Sequence, residues 1–167
     1  MERFYEKVAT VKVPDGWSVV LDGRVVKTPA RQDLTVPQEI FADALADEWR
    51  AQKCEIAPLS MPLSRLANTA LDRTAPDREQ VIDDVAGYGK SDLLCYQTAE
   101  PKTLAELQAR HWQPVLDWLA EEHRAPLSVT SDLAPIEQNC ASLQAVRDAV
   151  ARLDNFVLTG LHAATAI

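Results

Sequence analysis

Glu48-Trp49-Arg50-Ala51-Gln52, then Ile56-Ala57-Pro58-Leu59, then Ser60-Met61-Pro62-Leu63-Ser64-Arg65-Leu66-Ala67-Asn68-Thr69-Ala70-Leu71-Asp72 make up the stretch on which the chain turns. Leu63, Leu66, Ala67, Ala70 and Leu71 follow the i, i+3, i+4, i+7, i+8 series of a helix with one buried face. Ser60 stands where it can cap that helix. Pro62 falls in the first turn, where its missing N–H costs nothing because that donor would be unpaired anyway. The sequence before this stretch reads as β-rich and the sequence after it as helical, so the segment should join the two parts and add to both cores.

Upstream, Val11 and Val13 flank Lys12 and the run ends at Pro14-Asp15-Gly16, residues that supply turn geometry. Trp17, Val19 and Leu21 alternate with Ser18 and Val20, which predicts a strand with the first three on its buried face. Asp22-Gly23 is the strongest hairpin signal, since a type I′ turn needs positive φ at both central residues. Arg24 to Thr28 should return as a strand, and Leu34-Thr35-Val36 should add another. Thr35 and Gln38 have capping-box spacing for a helix reaching Gln52, with Phe41, Leu45 and Trp49 recurring every four residues along its core side.

Downstream, Asp77 and Gln80 open a helix whose stripe is Val81, Ile82, Val85 and Ala86, ended by Gly87 and Gly89. Thr103 and Glu106 form a second capping box, before a stripe of Leu104, Leu107, Gln108, His111, Val115, Trp118 and Leu119. Pro114 interrupts it and predicts a kink or two helices meeting near Gln113. Trp17 and Trp118 read as core residues, while Trp49 and Trp112 flank polar turns. A last helix should run from about Ser142 and become apolar nearly all round from Phe156 to Ile167, with no stop signal. That pattern reads as the front part of a longer protein.

The fold expected is α+β: residues 1–58 an antiparallel β-rich domain with one helix, residues 59–167 a helical domain. The 167 residues carry 17 Lys and Arg against 25 Asp and Glu, a formal net charge of −8, and most of the acidic excess lies beyond Lys53. Such a chain is a poor binder of phosphate backbones, which need clustered cations. Cys54, Cys95 and Cys140 are odd in number and lack any C-x-x-C pair, so they indicate neither a disulfide framework nor zinc. Met1 to Tyr5 carries no signal or transit pattern, and no apolar run approaches the roughly 20 residues of a membrane span.

Catalytic signatures are missing. Gly23 to Thr28 lacks the G-x-x-x-x-G-K-[ST] spacing and lies in a hairpin. His111, His123 and His162 have no H-E-x-x-H spacing, and Ser60, Ser64 and the cysteines belong to no nucleophile motif. No catalytic residue, metal ligand or cofactor is therefore assigned.

Several motifs occur here in a fixed order. They are Arg3-Phe4-Tyr5; Leu21-Asp22-Gly23-Arg24 with Lys27-Thr28-Pro29; Val36-Pro37; and Glu48-Trp49 with Ala51-Gln52. Then come Met61-Pro62-Leu63 with Arg65 to Ala70; Asp92-Leu93-Leu94 with Tyr96; and Gln108 with Trp112, Pro114 and Asp117-Trp118. This ordered set resembles the family of assembly chaperones that hold the unassembled alpha subunit of F(1)-ATPase, the catalytic head of ATP synthase. The resemblance covers nearly the whole chain, and Met61 to Ala70 is its most specific piece. Val25 departs from it where proline is common, and Gln97 where arginine is common.

The resemblance implies a two-part α+β protein with no cofactor and no reaction, and a bacterial member working in the cytoplasm; eukaryotic relatives would work in the mitochondrial matrix. The expected partner is the F(1)-ATPase alpha subunit, with no nucleic acid, no membrane and a monomeric free state. The expected partner-binding residues are Trp49, Met61, Leu63, Arg65 and Trp112. Two other readings compete: an enzyme acting on a small molecule between the β and helical parts, and an interaction scaffold with an unrelated partner.

Overall fold

Val8–Val13 (β1) and Gly16–Leu21 (β2) pair antiparallel, with Val8 opposite Leu21 and Val13 opposite Gly16. The computed structural model describes every residue except Leu133, Ala166 and Ile167, so the end of the expected apolar run lies outside the described residues. Asp22 and Gly23 take φ of 49° and 79°, the mirror-image turn that their sequence predicts. The return strand, Arg24–Val25 (β3), pairs with β2 but is shorter than expected. Thr28 leaves the ladder because its hydroxyl donates to Asp72 at 2.6 Å and its amide to the Gln32 carbonyl at 2.9 Å.

Thr35–Val36 (β4) joins β2 beside Trp17 and Ser18. A Cβ on Gly16 would stand 2.3 Å from the Val36 carbonyl oxygen, so only glycine admits β4 there. Alternation along β2 is overridden, since Ser18 and Val20 are buried as well as Val19 and Leu21. Ser18 and Thr35 satisfy each other through their hydroxyls at 2.9 Å. Thr35 therefore belongs to the sheet, and Gln38 precedes helix α1 (Glu39–Arg50) without a side-chain cap.

Ala42, Leu45 and Ala46 form the centre of the α1 face in the core, together with Val19, Leu21, Leu34 and Val36. The aromatics lie at its margins. Phe41 meets Phe156 edge to face at 5.5 Å, and Trp49 meets Tyr5 at 5.7 Å. Near the end of α1, Glu48 reaches across to helix α2 (Pro62–Thr69) and accepts from the Leu63 amide at 2.7 Å and the Ser64 amide at 2.8 Å. With Pro62 lacking a donor and Arg65 bonded to the Met61 carbonyl at 3.0 Å, every amide of that first turn is accounted for. Ser60, the expected cap, instead donates to the Ala57 carbonyl at 2.8 Å.

After Thr69 the helix widens into a π turn over Ala70–Thr74. That turn aims Asp72 at the Thr28 hydroxyl and the Ala30 amide, and brings the Thr74 hydroxyl 2.7 Å from that of Thr159.

The remaining helices are α3 (Arg78–Gly87), α4 (Lys102–His111), α5 (Gln113–His123), α6 (Cys140–Ala151) and α7 (Asn155–Thr165). Pro114 sits in the first turn of α5, as its sequence position predicts, and the helical run breaks at Trp112. Thr103 caps nothing, because α4 already begins at Lys102 behind Pro101. The expected single C-terminal helix is two, separated at Arg152 to Asp154. α6 is capped by the Asn139 carboxamide oxygen on the Ala141 amide at 2.7 Å.

Packing divides the chain into two units: Met1–Arg78 with Asn155–Ala163, and Glu79–Asp154 with the residues from Ala164 onward. The expected boundary after residue 58 falls inside the first unit, because Met61 and Ala67 complete the core under the sheet and α1. The second unit has its own core, with Ile82, Val85, Cys95, Leu116 and Val150 buried. In it, Arg147 of α6 holds Glu79 and Asp83 of α3, each at 2.7 Å. Both partners raise its guanidinium pKa further, through the hydrogen bonds first.

Two outcomes follow. Glu48→Ala should cost about 1–2 kcal/mol in urea unfolding, the size of a lost charged cap, and Glu48→Gln less. The Asp22 carboxyl is held below the ordinary range, chiefly by the Lys7 amide, with the Glu6 amide and the Lys7 and Arg3 charges adding to it. Its stabilisation is present above the unfolded pKa and is lost as pH falls through the lower folded value. Asp22→Asn keeps the turn and should flatten the acid limb of stability measured against pH.

Candidate partner-binding site

The first five residues are laced to the loop after α1. Arg3 donates its amide to the Cys54 carbonyl at 2.9 Å and a guanidinium N–H to the Gln52 carbonyl at 2.7 Å, while Ile56 donates to the Met1 carbonyl at 2.8 Å. Gln52 closes that loop by accepting from Ala57 at 2.8 Å and donating to the Glu48 carbonyl at 3.0 Å. The Arg3 guanidinium lies 4.7 Å from the Tyr5 ring centre. Tyr5 in turn donates its hydroxyl to the Trp49 carbonyl at 2.7 Å. Burial pushes the Tyr5 hydroxyl up against the opposing pull of Arg3, so it stays a donor at neutral pH.

Next to this lacing lies a pocket of about 640 Å³, lined by Met1, Phe4, Tyr5, Leu21, Asp22, Arg24 to Lys27 and Trp49. Phe4 is 66% exposed at the lip. Residues from three separate motifs of the sequence thus meet around one hollow. The Asp22 carboxylate beside it is committed to the backbone amides of Glu6 and Lys7. Among the described residues no group of three His, Cys, Asp or Glu side chains could hold a metal ion.

The residues expected at a partner surface separate on inspection. Trp49 is half-buried against the core, and its indole N–H is buried without an acceptor. Met61 is only 3% exposed and packs inside the core, so it offers nothing to a partner directly. Its neighbour Leu63 is 36% exposed and Arg65 is exposed, both on the outer side of α2. The difference is one of helix phase. Met61 precedes α2 in an irregular conformation that turns it inward, whereas Leu63 and Arg65 ride on the helix away from Ser64 and Ala67.

Trp112 belongs to the second unit, half-buried between α4 and α5, where its carbonyl accepts from Val115 at 3.1 Å and Leu116 at 3.2 Å. Trp118, read from sequence as core, is 54% exposed and stacks edge to face on His123 at 4.9 Å. The break at Trp112 resets the helical phase, so α5 buries Leu116 instead. Leu107 on α4 and Val115 on α5 are also exposed. Sequence reading passed over Phe4, Leu59 and Trp118 as surface groups; the polar turns beside Leu59 and the helix break at Pro114 were the available signals.

Cys95 is buried, and burial together with Asp92 pushes its thiol up, so it is a packing residue and not a nucleophile. No helix among the described residues is long and apolar enough to cross a membrane.

Residues 2–120 match the family model described as ATP12 chaperone protein. The chain belongs to the ATP12 chaperone family. Two crystal structures of Atp12 from Paracoccus denitrificans, one of them a mutant, superpose with TM-scores of 0.92 and 0.91 at 42% identity. Each match covers 96% of this chain and 69% of the other. A candidate chaperone from Agrobacterium tumefaciens superposes with a TM-score of 0.88 at 35% identity, covering 99% of this chain and 62% of that one. The α+β order of an N-terminal antiparallel sheet followed by helices is thus the architecture of an ATP12 family member.

Burial separates the family motif into supporting and presented parts. Met61→Ala should destabilise by about 2–5 kcal/mol through the cavity it leaves, whereas Arg65→Ala should stay within about 0.5 kcal/mol of wild type. Chemical denaturation of the two variants checks both.

Proposed function

We propose that this protein is an ATP-independent assembly chaperone that binds the unassembled alpha subunit of F(1)-ATPase and masks its aggregation-prone interface until the beta subunit replaces it. Membership of the ATP12 chaperone family carries the reading. A lone subunit of a ring exposes apolar surface that its neighbours later cover, and large exposed patches aggregate. A binder that covers such a patch lowers the free concentration of the sticky species by mass action and gives way to a partner that binds the same patch more tightly. That cycle needs neither nucleotide nor bond chemistry.

Apolar and aromatic side chains held out to solvent on both units support the reading. Leu63 beside Arg65 on α2, and Trp112 beside exposed Val115 and Trp118, have the aromatic, aliphatic and arginine character typical of binding anchors. Trp49 contributes an aromatic wall, and Met61 holds α2 from beneath. The protein works in the cytoplasm of a bacterium, as a monomer when free, and catalyses nothing.

Separately expressed alpha and beta subunits, passed over the immobilised protein, test this. Alpha alone should be retained, and added beta should release it. Leu63→Ala, Arg65→Ala and Trp112→Ala should each weaken capture about tenfold or more, the size of an anchor residue, with unfolding midpoints showing that the fold is kept. Equal retention of both subunits, or of neither, would overturn the proposal.

A further inference from the structure

The pocket beside the β2–β3 turn carries two cations without an ion-pair partner among the described residues, the Arg24 guanidinium and the terminal ammonium of Met1. Asp22 is spent on two backbone amides, and Lys27 is ion-paired with Asp33. Arg24, exposed on the rim, has no hydrogen-bond or ion-pair partner among the described residues. Apolar groups surround it: buried Leu21 and Val26, half-buried Val25 and exposed Phe4. A volume of about 640 Å³ admits one large side chain with its flanking backbone.

The strand beside it is open in a particular way. Leu21 pairs with Arg24 next to the two-residue turn, and the Val26 amide bonds to the Val19 carbonyl at 2.9 Å. The intervening Val20–Val25 pair is therefore the non-hydrogen-bonded kind, which turns the N–H and C=O of Val25 away from β2. Among the described residues no backbone group meets them. Outward amide and carbonyl groups beside an apolar hollow suit an extended peptide, which pairs with a strand edge and drops a side chain into the adjoining pocket.

We infer that this pocket binds an extended segment of the client polypeptide in which a carboxylate stands within two residues of a large apolar side chain. The apolar group fills the hollow between Phe4 and Val25, the carboxylate pairs with Arg24, and the backbone pairs with Val25. On a chain of net charge −8, unpaired cations at an apolar rim, Arg24 with the Met1 ammonium lining the same pocket, select for that acidic neighbour. The inference rests on the chaperone reading for the identity of the client.

A cellulose array of overlapping 12-residue peptides tiling the alpha subunit, probed with the whole protein, provides the test. Retained peptides should share the carboxylate–apolar pairing and should lose signal about tenfold when Asp or Glu is replaced by Asn or Gln. Arg24→Glu should abolish retention and Val25→Pro should weaken it several-fold, while Lys12→Glu on β1 should not; matched circular dichroism and melting curves secure the fold. The inference fails if no peptide is retained, if the retained ones lack the pairing, or if Arg24→Glu binds as wild type does. Arg24-dependent binding of decanoate with no peptide retained would make this a site for small amphiphiles and overturn it equally. Capture of the intact alpha subunit is a separate readout. Its failure in the wild-type chain would end the chaperone reading, whereas loss of the Arg24 dependence alone would end only this assignment.

Discussion

The carboxylate of Glu48 on the first turn of α2 is the contact from which the first unit is ordered. A helix start buried without partners leaves amide dipoles unmet in a region of low dielectric, and an anion placed there satisfies them while meeting the positive end of the helix. Pro62 narrows the need to two amides, and one carboxylate has two oxygens. Because Glu48 sits on α1, the bond also fixes the angle at which α2 leaves the core. Met61 then points inward and Leu63 and Arg65 outward.

Gln52, one turn further on, extends the same arrangement to the loop, and Arg3 ties the start of the chain to it. These polar contacts are made by the motif residues Arg3, Tyr5, Glu48 and Gln52, so much of what marks the family works as internal scaffolding. Other motif residues, among them Phe4, Arg24, Leu63 and Arg65, face solvent. In such a division buried polar bonds hold the shape, and apolar side chains can remain exposed without the fold collapsing around them.

The π turn at Ala70–Thr74 is a second device of this kind. Widening the helix by one residue shifts the phase of everything after Thr69, which lets Asp72 reach the loop after β3 while Thr74 meets α7. Periodicity arguments assume a constant 3.6 residues per turn and are blind to the change. Trp118 fails for a related reason: its stripe was carried across the break expected at Pro114, and helical phase does not survive that break.

Local chemistry was legible in the residues themselves. Asp22-Gly23 demanded its turn because few other residues tolerate positive φ, Pro114 demanded a break because it lacks a donor, and the ordered motifs named the family. Nonlocal choices were not legible. Ser60 was the cap the sequence offered for α2, and only the three-dimensional approach of α1 placed the Glu48 carboxylate there instead, 15 residues back from Leu63. The boundary between units moved because cores are defined by which side chains pack together, and a strand-to-helix change in the sequence does not record that. Whether Met61 or Leu63 faces solvent, and that Phe4, Arg24 and Trp49 border one hollow, are facts of tertiary approach: side chains far apart along a chain become neighbours only when the backbone between them has been folded.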